Sequence, residues 1–236
     1  MQPITRLHER QLQSLFLRQT TVYIDLSKTL WHQQGTKQGL AAHLPIYKTT
    51  VNGQAMYYQL RPSAERFLKE LHKRGYQLVV CTSGPKELRA TVLEMMKLDH
   101  YFAAIIGREE LFSARRNNKP MPATWVLVDD QDVFEFNARR KLTFLGLRSH
   151  CLSSKEILRS EEGKVCARKC AADYLVTCTA WRGGSKRHTR DSLVSLDGKD
   201  AAPLAQLVDV ITRKLVKQYD KRSGNNNSKF KSSTNQ

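Results

Sequence analysis

Three short apolar runs along the chain each end abruptly in polar residues. The runs are TVYIDL, QLVVC and TWVLVDD. Buried parallel strands have this pattern, because helices cover both faces of the sheet and the carboxyl end of each strand opens into a polar loop. The pattern therefore predicts three strands of one parallel sheet, with Asp25, Thr82 and Asp129 at or beside their carboxyl ends.

Hairpin and helix signals lie between these runs. The segment YKTTVNGQAMYYQL predicts two strands joined by Asn52-Gly53, because that dipeptide supplies the positive φ angles of a tight turn. Amphipathic helices are predicted over residues 63–75, with Ser63 as the cap, and over residues 86–98. Strands that alternate with helices indicate an α/β fold, in which sites form beyond the carboxyl ends of the strands.

Further elements are predicted on either side of this region. KLTFLGL and DYLVTCTA are interpreted as strands, WRGGSKRHTR as a basic loop and PLAQLVDVITRKLVKQY as an amphipathic helix. These assignments divide the chain into an N-terminal helix (1–20), a core (21–150), an extension (151–220) and a disordered basic tail (221–236). The tail has too little apolar content to form a packed structure.

The chain is strongly basic, with 39 Lys and Arg against 22 Asp and Glu among 236 residues, a formal net charge of +17. This charge predicts attraction to phosphate-rich partners such as nucleic acid, anionic lipid or phosphoprotein, although a solvated basic face would have the same composition. The predicted polyanion-binding residues are Arg182, Lys186, Arg187 and Arg190.

The five cysteines lack the even number and regular spacing of a secreted disulfide framework, so a reducing compartment, cytoplasmic or nuclear, is expected. No signal peptide and no apolar run long enough to span a membrane is found in the sequence. Cys166 and Cys170, with His150 and Cys151 upstream, are considered as zinc ligands, but their spacing is poor for a zinc knuckle. Cys81, Cys170 and Cys178 are instead expected to fill apolar positions.

The ends of the three apolar runs carry groups suited to phosphate chemistry. These are Asp25 with Thr29, Thr82 with Ser83, and Asp129 with Asp130. A carboxylate can attack phosphorus, hydroxyls can hold phosphate oxygens, and a carboxylate pair can bind Mg²⁺. Lys119, shortly before the third run, could offset the accumulated negative charge.

Four motifs in this order resemble those of the haloacid dehalogenase (HAD) superfamily. They are hhhDxxxTL, where h is a hydrophobic residue, a strand ending in threonine, a lysine, and a strand ending in paired aspartates. VNGQAMYYQLRPSAERFLKEL further resembles the carboxy-terminal-domain phosphatases of RNA polymerase II. The resemblance covers about residues 20–150. It implies a Rossmann-like core, a central parallel sheet flanked by helices, with a small hairpin insertion and no large cap, so that the site is open to bulky substrates.

The resemblance also implies residue roles. Asp25 would be the nucleophile and a Mg²⁺ ligand, Thr82 a phosphate ligand, and Asp129 with Asp130 the other metal ligands. Lys119 would stabilise the phosphate charge, although Arg115 or Arg116 could instead fill this role.

Ser27 departs from the family pattern, which has an aspartate as general acid two residues after the nucleophile. Loss of a general acid typically costs about 10²- to 10⁴-fold in rate, and less for a leaving group such as a phenolate or an acyl phosphate. The sequence therefore predicts a Mg²⁺-dependent phosphatase with weakened turnover, acting on a phosphoprotein or another bulky substrate. The alternative is an inactive scaffold that binds nucleic acid or an assembly partner.

Overall fold

The structure, a computed structural model, describes residues 20–113, 124–147, 149, 152, 157–181 and 204–231. Its strands, numbered along the chain, are β1 (Thr20–Ile24), β2 (Trp31–Gln34), β3 (Ile46–Val51), β4 (Gln54–Leu60), β5 (Gln77–Cys81), β6 (Ala104–Ile106), β7 (Thr124–Asp129) and β8 (Leu175–Thr177). Its α-helices are α1 (Ala64–Lys73), α2 (Lys86–Met95), α3 (Arg108–Phe112), α4 (Phe136–Phe144), α5 (Glu161–Ala171) and α6 (Leu207–Lys231). Short 3-10 helices span Asp99–Tyr101, Ile157–Arg159 and Leu204–Gln206.

Five strands form a parallel sheet in the order β6-β5-β1-β7-β8. Alternate residues of each strand enter different cores, as the two-residue period of a strand requires. In β1, Val22 and Ile24 join a core that includes residues of α1, α2 and α6, whereas Tyr23 joins a core that includes residues of α3, α4 and α5. Both faces of the sheet are therefore covered by helices, and the predicted α/β class is confirmed.

A second, antiparallel sheet of order β2-β4-β3 follows β1 in the chain. The β3–β4 hairpin turns at Asn52 (φ 50°) and Gly53 (φ 76°), so the predicted hairpin is confirmed. Strand β2 was not predicted. This small sheet is the only insertion between β1 and β5, and no large cap is present among the described residues.

The prediction of a strand at KLTFLGL is wrong, because this segment lies mainly in helix α4. Its buried positions follow helical spacing and are Ala138, Lys141, Leu142 and Leu145. Gly146, with a φ of 90°, follows the helix and reverses the chain. Thr143 and Phe144 have strand propensity, and the charged Lys141 interrupts the apolar period of the helix.

Ser63 does not cap helix α1 with its side chain, contrary to prediction. Its Oγ instead accepts a hydrogen bond from the backbone N of Leu204, 3.1 Å away, and so connects the helix start to the C-terminal segment. The predicted end of this helix at Gly75 is confirmed by a φ of 78° at that residue.

The C-terminal strand and helix are both present. Strand β8 pairs with β7, so the sheet continues across the predicted boundary between core and extension. Helix α6 runs to Lys231 and therefore includes residues 221–231 of the predicted disordered tail. Its buried face, which includes Ile211 and Leu215, anchors the helix on the core, and extending an existing helix is much easier than starting one. The predicted N-terminal helix lies outside the described residues, except for residue 20 in β1.

No helix in the described part of the chain combines the length and the apolar composition that a membrane span requires. Cys81, Cys170 and Cys178 are free thiols, whereas Cys166 is disulfide-bonded and is therefore not available as a zinc ligand.

Candidate active site

The carboxyl ends of β1, β5 and β7 meet at one edge of the parallel sheet. Ile24 is paired with Val80 on one side and with Val128 on the other, so Asp25 lies at the level of the next residues of both strands. The backbone N of Asp25 donates to the carbonyl of Val128 over 2.9 Å, which fixes the start of the loop. The predicted convergence of the three loops is present in the structure.

Asp25, Asp129 and Asp130 form an acidic cluster in which one oxygen from each carboxylate lies within 4.8 Å of the others. Asp25 and Asp129 are buried, and Asp130 is partly exposed. Burial, followed by the charges of Asp25 and Asp129, raises the pKa of Asp130 to about 7. The cluster therefore concentrates more negative charge than its protein neighbours neutralise.

Lys141, from helix α4, lies between two of these carboxylates. Its Nζ donates to Asp25 Oδ1 at 2.6 Å and to Asp129 Oδ2 at 2.7 Å, and the side chain is only 2% exposed. Burial alone would lower the pKa of Lys141, but the two carboxylates outweigh that effect and raise it. For Asp25, burial is the larger effect and raises its pKa to about 6 despite the opposing charge of Lys141.

The predicted phosphate-binding hydroxyls lie on the loops that follow β1 and β5. Thr82 follows β5, and its Oγ1 accepts a hydrogen bond from the backbone N of Gly84 at 3.2 Å. The carbonyl of Ser83 accepts a bond from Nε of Arg108 at 3.0 Å. Thr29 is fully buried and its Oγ1 accepts from Cys178 Sγ at 3.8 Å. Their role as phosphate ligands stays a prediction.

Ser27 lies beside a buried arginine that the sequence did not single out. Residues 27 and 31 form an isolated bridge that closes the loop after β1. Ser27 Oγ accepts a hydrogen bond from Nη2 of Arg89 in helix α2, 3.3 Å away. The same guanidinium donates from Nη1 to Gln33 Oε1 at 2.6 Å. The position two residues after Asp25 is therefore next to a cation.

Two site residues were thus missed by sequence reasoning, Lys141 and Arg89. A helical interpretation of residues 136–144 would have placed Lys141 among buried apolar neighbours, which is the signal that could have found it. Arg89 shares the buried face of α2 with Val92 and Leu93, which is a similar signal. The predicted charge stabilisers Lys119, Arg115 and Arg116 lie outside the described residues, as do Arg182, Lys186, Arg187 and Arg190.

The acidic cluster fits a hard divalent cation such as Mg²⁺. Carboxylate oxygens are its preferred protein ligands. Among the described residues this is the only group of three or more side chains able to hold a metal ion. Lys141 offsets one of the three negative charges when all three carboxylates are ionised, which leaves an excess that a divalent cation can neutralise.

A parallel α/β sheet with an acidic cluster at the carboxyl ends of its central strands agrees with the HAD-type core that the sequence resembles. The profile of the family described as "NLI interacting factor-like phosphatase" matches residues 20–137. The chain belongs to this family, and the predicted resemblance is confirmed.

Similarity to individual proteins agrees with this assignment. Over 85 residues the chain is 32% identical to a phosphoglycolate phosphatase of Pseudomonas fluorescens (strain Pf-5). The matched segment covers 36% of this chain but only 30% of that relative. The structure resembles an arginine-to-alanine variant of the fission yeast RNA polymerase II CTD phosphatase Fcp1 bound to beryllium fluoride. The TM-score is 0.50 at 15% identity, with 98% of this chain and 71% of that chain covered.

A second structure, described as that of Fcp1, an essential RNA polymerase II CTD phosphatase, gives a TM-score of 0.38 at 14% identity, with 86% of this chain and 73% of that chain covered. The family and these named relatives are phosphatases, enzymes that hydrolyse phosphate esters. At this level of identity the structural likeness concerns the fold alone.

Proposed function

We propose that this protein is a Mg²⁺-dependent phosphatase that forms a covalent aspartyl phosphate on Asp25. The observation that carries the proposal is the buried cluster in which Asp25 shares Lys141 with Asp129 and lies close to Asp130. A carboxylate at this position can attack phosphorus, and the neighbouring groups can balance the charge that the phosphoryl group brings.

Lys141 and the charge balance around Asp25 support a nucleophilic role. Nucleophilic attack requires the ionised carboxylate, and burial raises the pKa of Asp25 only to about 6. Lys141 opposes that shift through its charge and its hydrogen bond, so Asp25 is mainly ionised at neutral pH. In this proposal Lys141 has the charge-stabilising role that the sequence assigned to Lys119.

Asp25, Asp129 and Asp130 would hold the Mg²⁺ ion. The bound ion would supply positive charge for the phosphate oxygens. Thr82 and Ser83, on the loop after β5, would bind and orient the same oxygens, and helix α4 would keep Lys141 in place below them.

The serine at position 27 implies that substrates with strongly basic leaving groups are turned over slowly. A serine hydroxyl is not a proton donor at neutral pH, so the leaving oxygen receives no general-acid assistance from this position. The hydrogen bond from Arg89 to Ser27 adds a cation there but no transferable proton, because arginine stays protonated in proteins.

A phosphorylated protein is the substrate class that the open site supports best. The small sheet of β2, β3 and β4 is the only insertion between β1 and β5, which leaves room for a large substrate. The net charge of +17 favours a phosphorylated, acidic partner. Fcp1 is named as a phosphatase of the RNA polymerase II CTD, which is consistent with a protein substrate.

Substitution Asp25→Asn tests the proposal. Release of phosphate from an aryl phosphate should depend on added Mg²⁺ and should fall by at least about 10³-fold in the variant, because the covalent route is lost. Asp209→Asn is the matched control, since Asp209 is exposed and pairs with Arg74. Undiminished Mg²⁺-dependent activity in Asp25→Asn would show that the nucleophile is assigned wrongly.

The scaffold alternative depends on Ser27 and on basic residues that lie outside the described part of the chain, and it stays a prediction. A wild-type protein that releases no phosphate, yet binds nucleic acid with a steep dependence on salt, would favour the scaffold over the enzyme.

A further inference from the structure

Arg89 is a buried cation without an acidic partner. The residue is only 5% exposed, and no carboxylate among the described residues forms an ion pair with its guanidinium. Its two hydrogen bonds go to the neutral oxygens of Gln33 and Ser27, and its Nε has no hydrogen-bond partner. The guanidinium also lies over the ring of Trp31, 5.9 Å from the centroid.

An arrangement of this kind favours an anion. Holding a charge away from water is costly unless an opposite charge compensates it. A further buried donor beside the guanidinium, Trp31 Nε1, also lacks a hydrogen-bond partner. Burial lowers the pKa of Arg89, whereas the neighbouring phenol of Tyr58 and the charge of Asp25 oppose that shift and Arg108 adds to it. The guanidinium therefore has no carboxylate in an ion pair with it, and its Nε donor is used by no described protein neighbour.

The guanidinium lies between the two loops that carry the proposed chemistry. On one side it contacts Ser27, two residues after Asp25. On the other side it packs on Gly84, two residues after Thr82, so closely that an added Cβ would approach Nε to 2.3 Å. Glycine at this position thus allows the loop after β5 to approach the arginine. Arg89 therefore joins the loop after Asp25 to the loop after Thr82.

We propose that Arg89 is a catalytic residue that stabilises the leaving oxygen as an anion, and that the preferred substrates are phosphate monoesters with weakly basic leaving oxygens, namely aryl phosphates such as phosphotyrosine. This inference rests on the proposed function and names its substrate class. Arg89 replaces proton donation by charge compensation at the position where Ser27 provides no acid.

The chemical step follows directly. An oxygen of Asp25 forms a bond to phosphorus, and the bond from phosphorus to the bridging oxygen breaks with its electron pair remaining on that oxygen. The leaving group departs as an aryl oxide whose negative charge faces Arg89, and it takes a proton from solvent afterwards. Water then attacks the phosphorus of the aspartyl phosphate, which releases phosphate and a proton to solvent and regenerates Asp25. No oxidant or other reactant is needed.

A series of substituted phenyl phosphates that differ in the pKa of the phenol tests this role. Arg89→Gln should lower kcat/KM by about 10²-fold for the most basic leaving groups, which is typical of losing one donor to a developing oxyanion, and much less for the least basic. The dependence of rate on leaving-group pKa should therefore become steeper. Arg74→Gln is the matched control, because Arg74 pairs with Asp209 next to the end of α1.

Two further measurements separate this role from a structural one. In a Ser27→Asp background, where a proton donor is restored, Arg89→Gln should cost at least about tenfold less than in the wild type, as expected for coupled groups. Peptides of one sequence that carry phosphotyrosine or phosphoserine should differ by at least about tenfold in kcat/KM, in favour of phosphotyrosine. This comparison uses the wild type alone and needs no folded variant.

Specific outcomes would overturn the inference. An equal loss of rate in Arg89→Gln for all leaving groups would make Arg89 a phosphate-binding or structural residue. If the variant does not fold, Gln33→Leu can replace it, because this change removes the hydrogen-bond partner of Arg89 Nη1. It should also make the dependence of rate on leaving-group pKa steeper. An unchanged dependence would count against the proposal. Equal or better hydrolysis of phosphoserine would also overturn it. Failure of the proposed function itself would be recognised separately, by activity that survives in Asp25→Asn.

Discussion

Lys141 and Arg89 are both buried cations at the same edge of the sheet, but their surroundings differ. Lys141 has two carboxylate partners within 2.7 Å, and its charge is compensated within the protein. Arg89 donates its hydrogen bonds to the neutral oxygens of Gln33 and Ser27, and no described carboxylate forms an ion pair with it. In the proposed mechanism, Lys141 therefore keeps Asp25 ionised, and Arg89 acts on the leaving group of the substrate.

Ser27→Asp should raise turnover, and most for substrates with strongly basic leaving groups. The introduced carboxyl group can donate a proton to the leaving oxygen and then activate water, a contribution of about 10²- to 10⁴-fold. We expect the lower end of that range, because Arg89 Nη2 lies 3.3 Å from Ser27 Oγ and would favour the ionised form of the new group.

The measurement is kcat for an alkyl and an aryl phosphate in wild type and variant at several pH values. Ser27→Asn, which has a similar size but no acid, is the control and should give no gain. A correctly folded Ser27→Asp protein with an unchanged or lower rate would contradict this interpretation of position 27.

At the scale of elements, the strands that carry Asp25, Thr82 and Asp129 were predictable because buried parallel strands are continuous apolar runs. Helix α4 was not, although it delivers Lys141. Its sequence FNARRKLTF has few apolar positions, and its buried side chains include the lysine itself. A pattern of apolar and polar residues cannot identify a lysine whose burial depends on two carboxylates from other strands.

Arg89 was missed for a related reason. It lies on a helix that was correctly predicted, at a position whose charge suggested exposure. Its burial results from contacts with residues 27 and 33 of a distant loop and with the close approach of Gly84. Periodicity locates an element, but the neighbours that bury a charged side chain come from tertiary structure.

One side chain of helix α6 forms the backbone hydrogen bonds that a neighbouring strand would otherwise form with β7. The pairing of β8 with β7 begins at Leu127, so the backbone of Trp125 has no partner on that side. The Gln218 side chain supplies one, since Oε1 accepts from Trp125 N at 3.1 Å and Nε2 donates to Trp125 O at 2.8 Å. The same Nε2 donates to the carbonyl of Asp173 at 2.7 Å.

Gln218→Ala should therefore lower the free energy of unfolding by about 2 kcal/mol or more, because buried backbone groups lose their hydrogen-bond partners. Urea denaturation measures the change. Gln54→Ala is the control, since Gln54 is exposed at the start of β4 and surface substitutions usually change stability by less than about 0.5 kcal/mol. Equal effects of the two substitutions would show that the amide of Gln218 does not contribute to stability.

At the scale of the whole molecule, a chain of net charge +17 places three of its 22 acidic residues in one cluster. Raised pKa values there make stability depend on pH. Burial raises the pKa of Asp25 to about 6 and that of Asp130 to about 7, from an ordinary value of 3.8. A carboxyl whose pKa is raised by folding favours the folded state below its unfolded pKa, and this contribution is lost as pH rises through the folded pKa.

Without added metal, the contribution of these two groups to stability should fall between about pH 4 and pH 7. Each group contributes a slope of at most about 1.4 kcal/mol per pH unit, and Asp130 less because it is partly exposed. Mg²⁺ should reverse the trend, since it binds the ionised carboxylates and its affinity rises as they lose protons. At a concentration of 100 times its Kd, it would stabilise the protein by about 2.7 kcal/mol.

Thermal unfolding at pH 5 and pH 8, with Mg²⁺ or with EDTA, measures both effects. We expect the difference in Tm between the two conditions to be small at pH 5 and several degrees at pH 8. Asp129→Asn should remove the difference at pH 8, because it removes a proposed metal ligand and a partner of Lys141 together, whereas the exposed Asp209→Asn should retain it. A Mg²⁺ effect that is equal at both pH values, or that persists in Asp129→Asn, would place the ion elsewhere, because only binding to these carboxylates couples metal affinity to their ionisation.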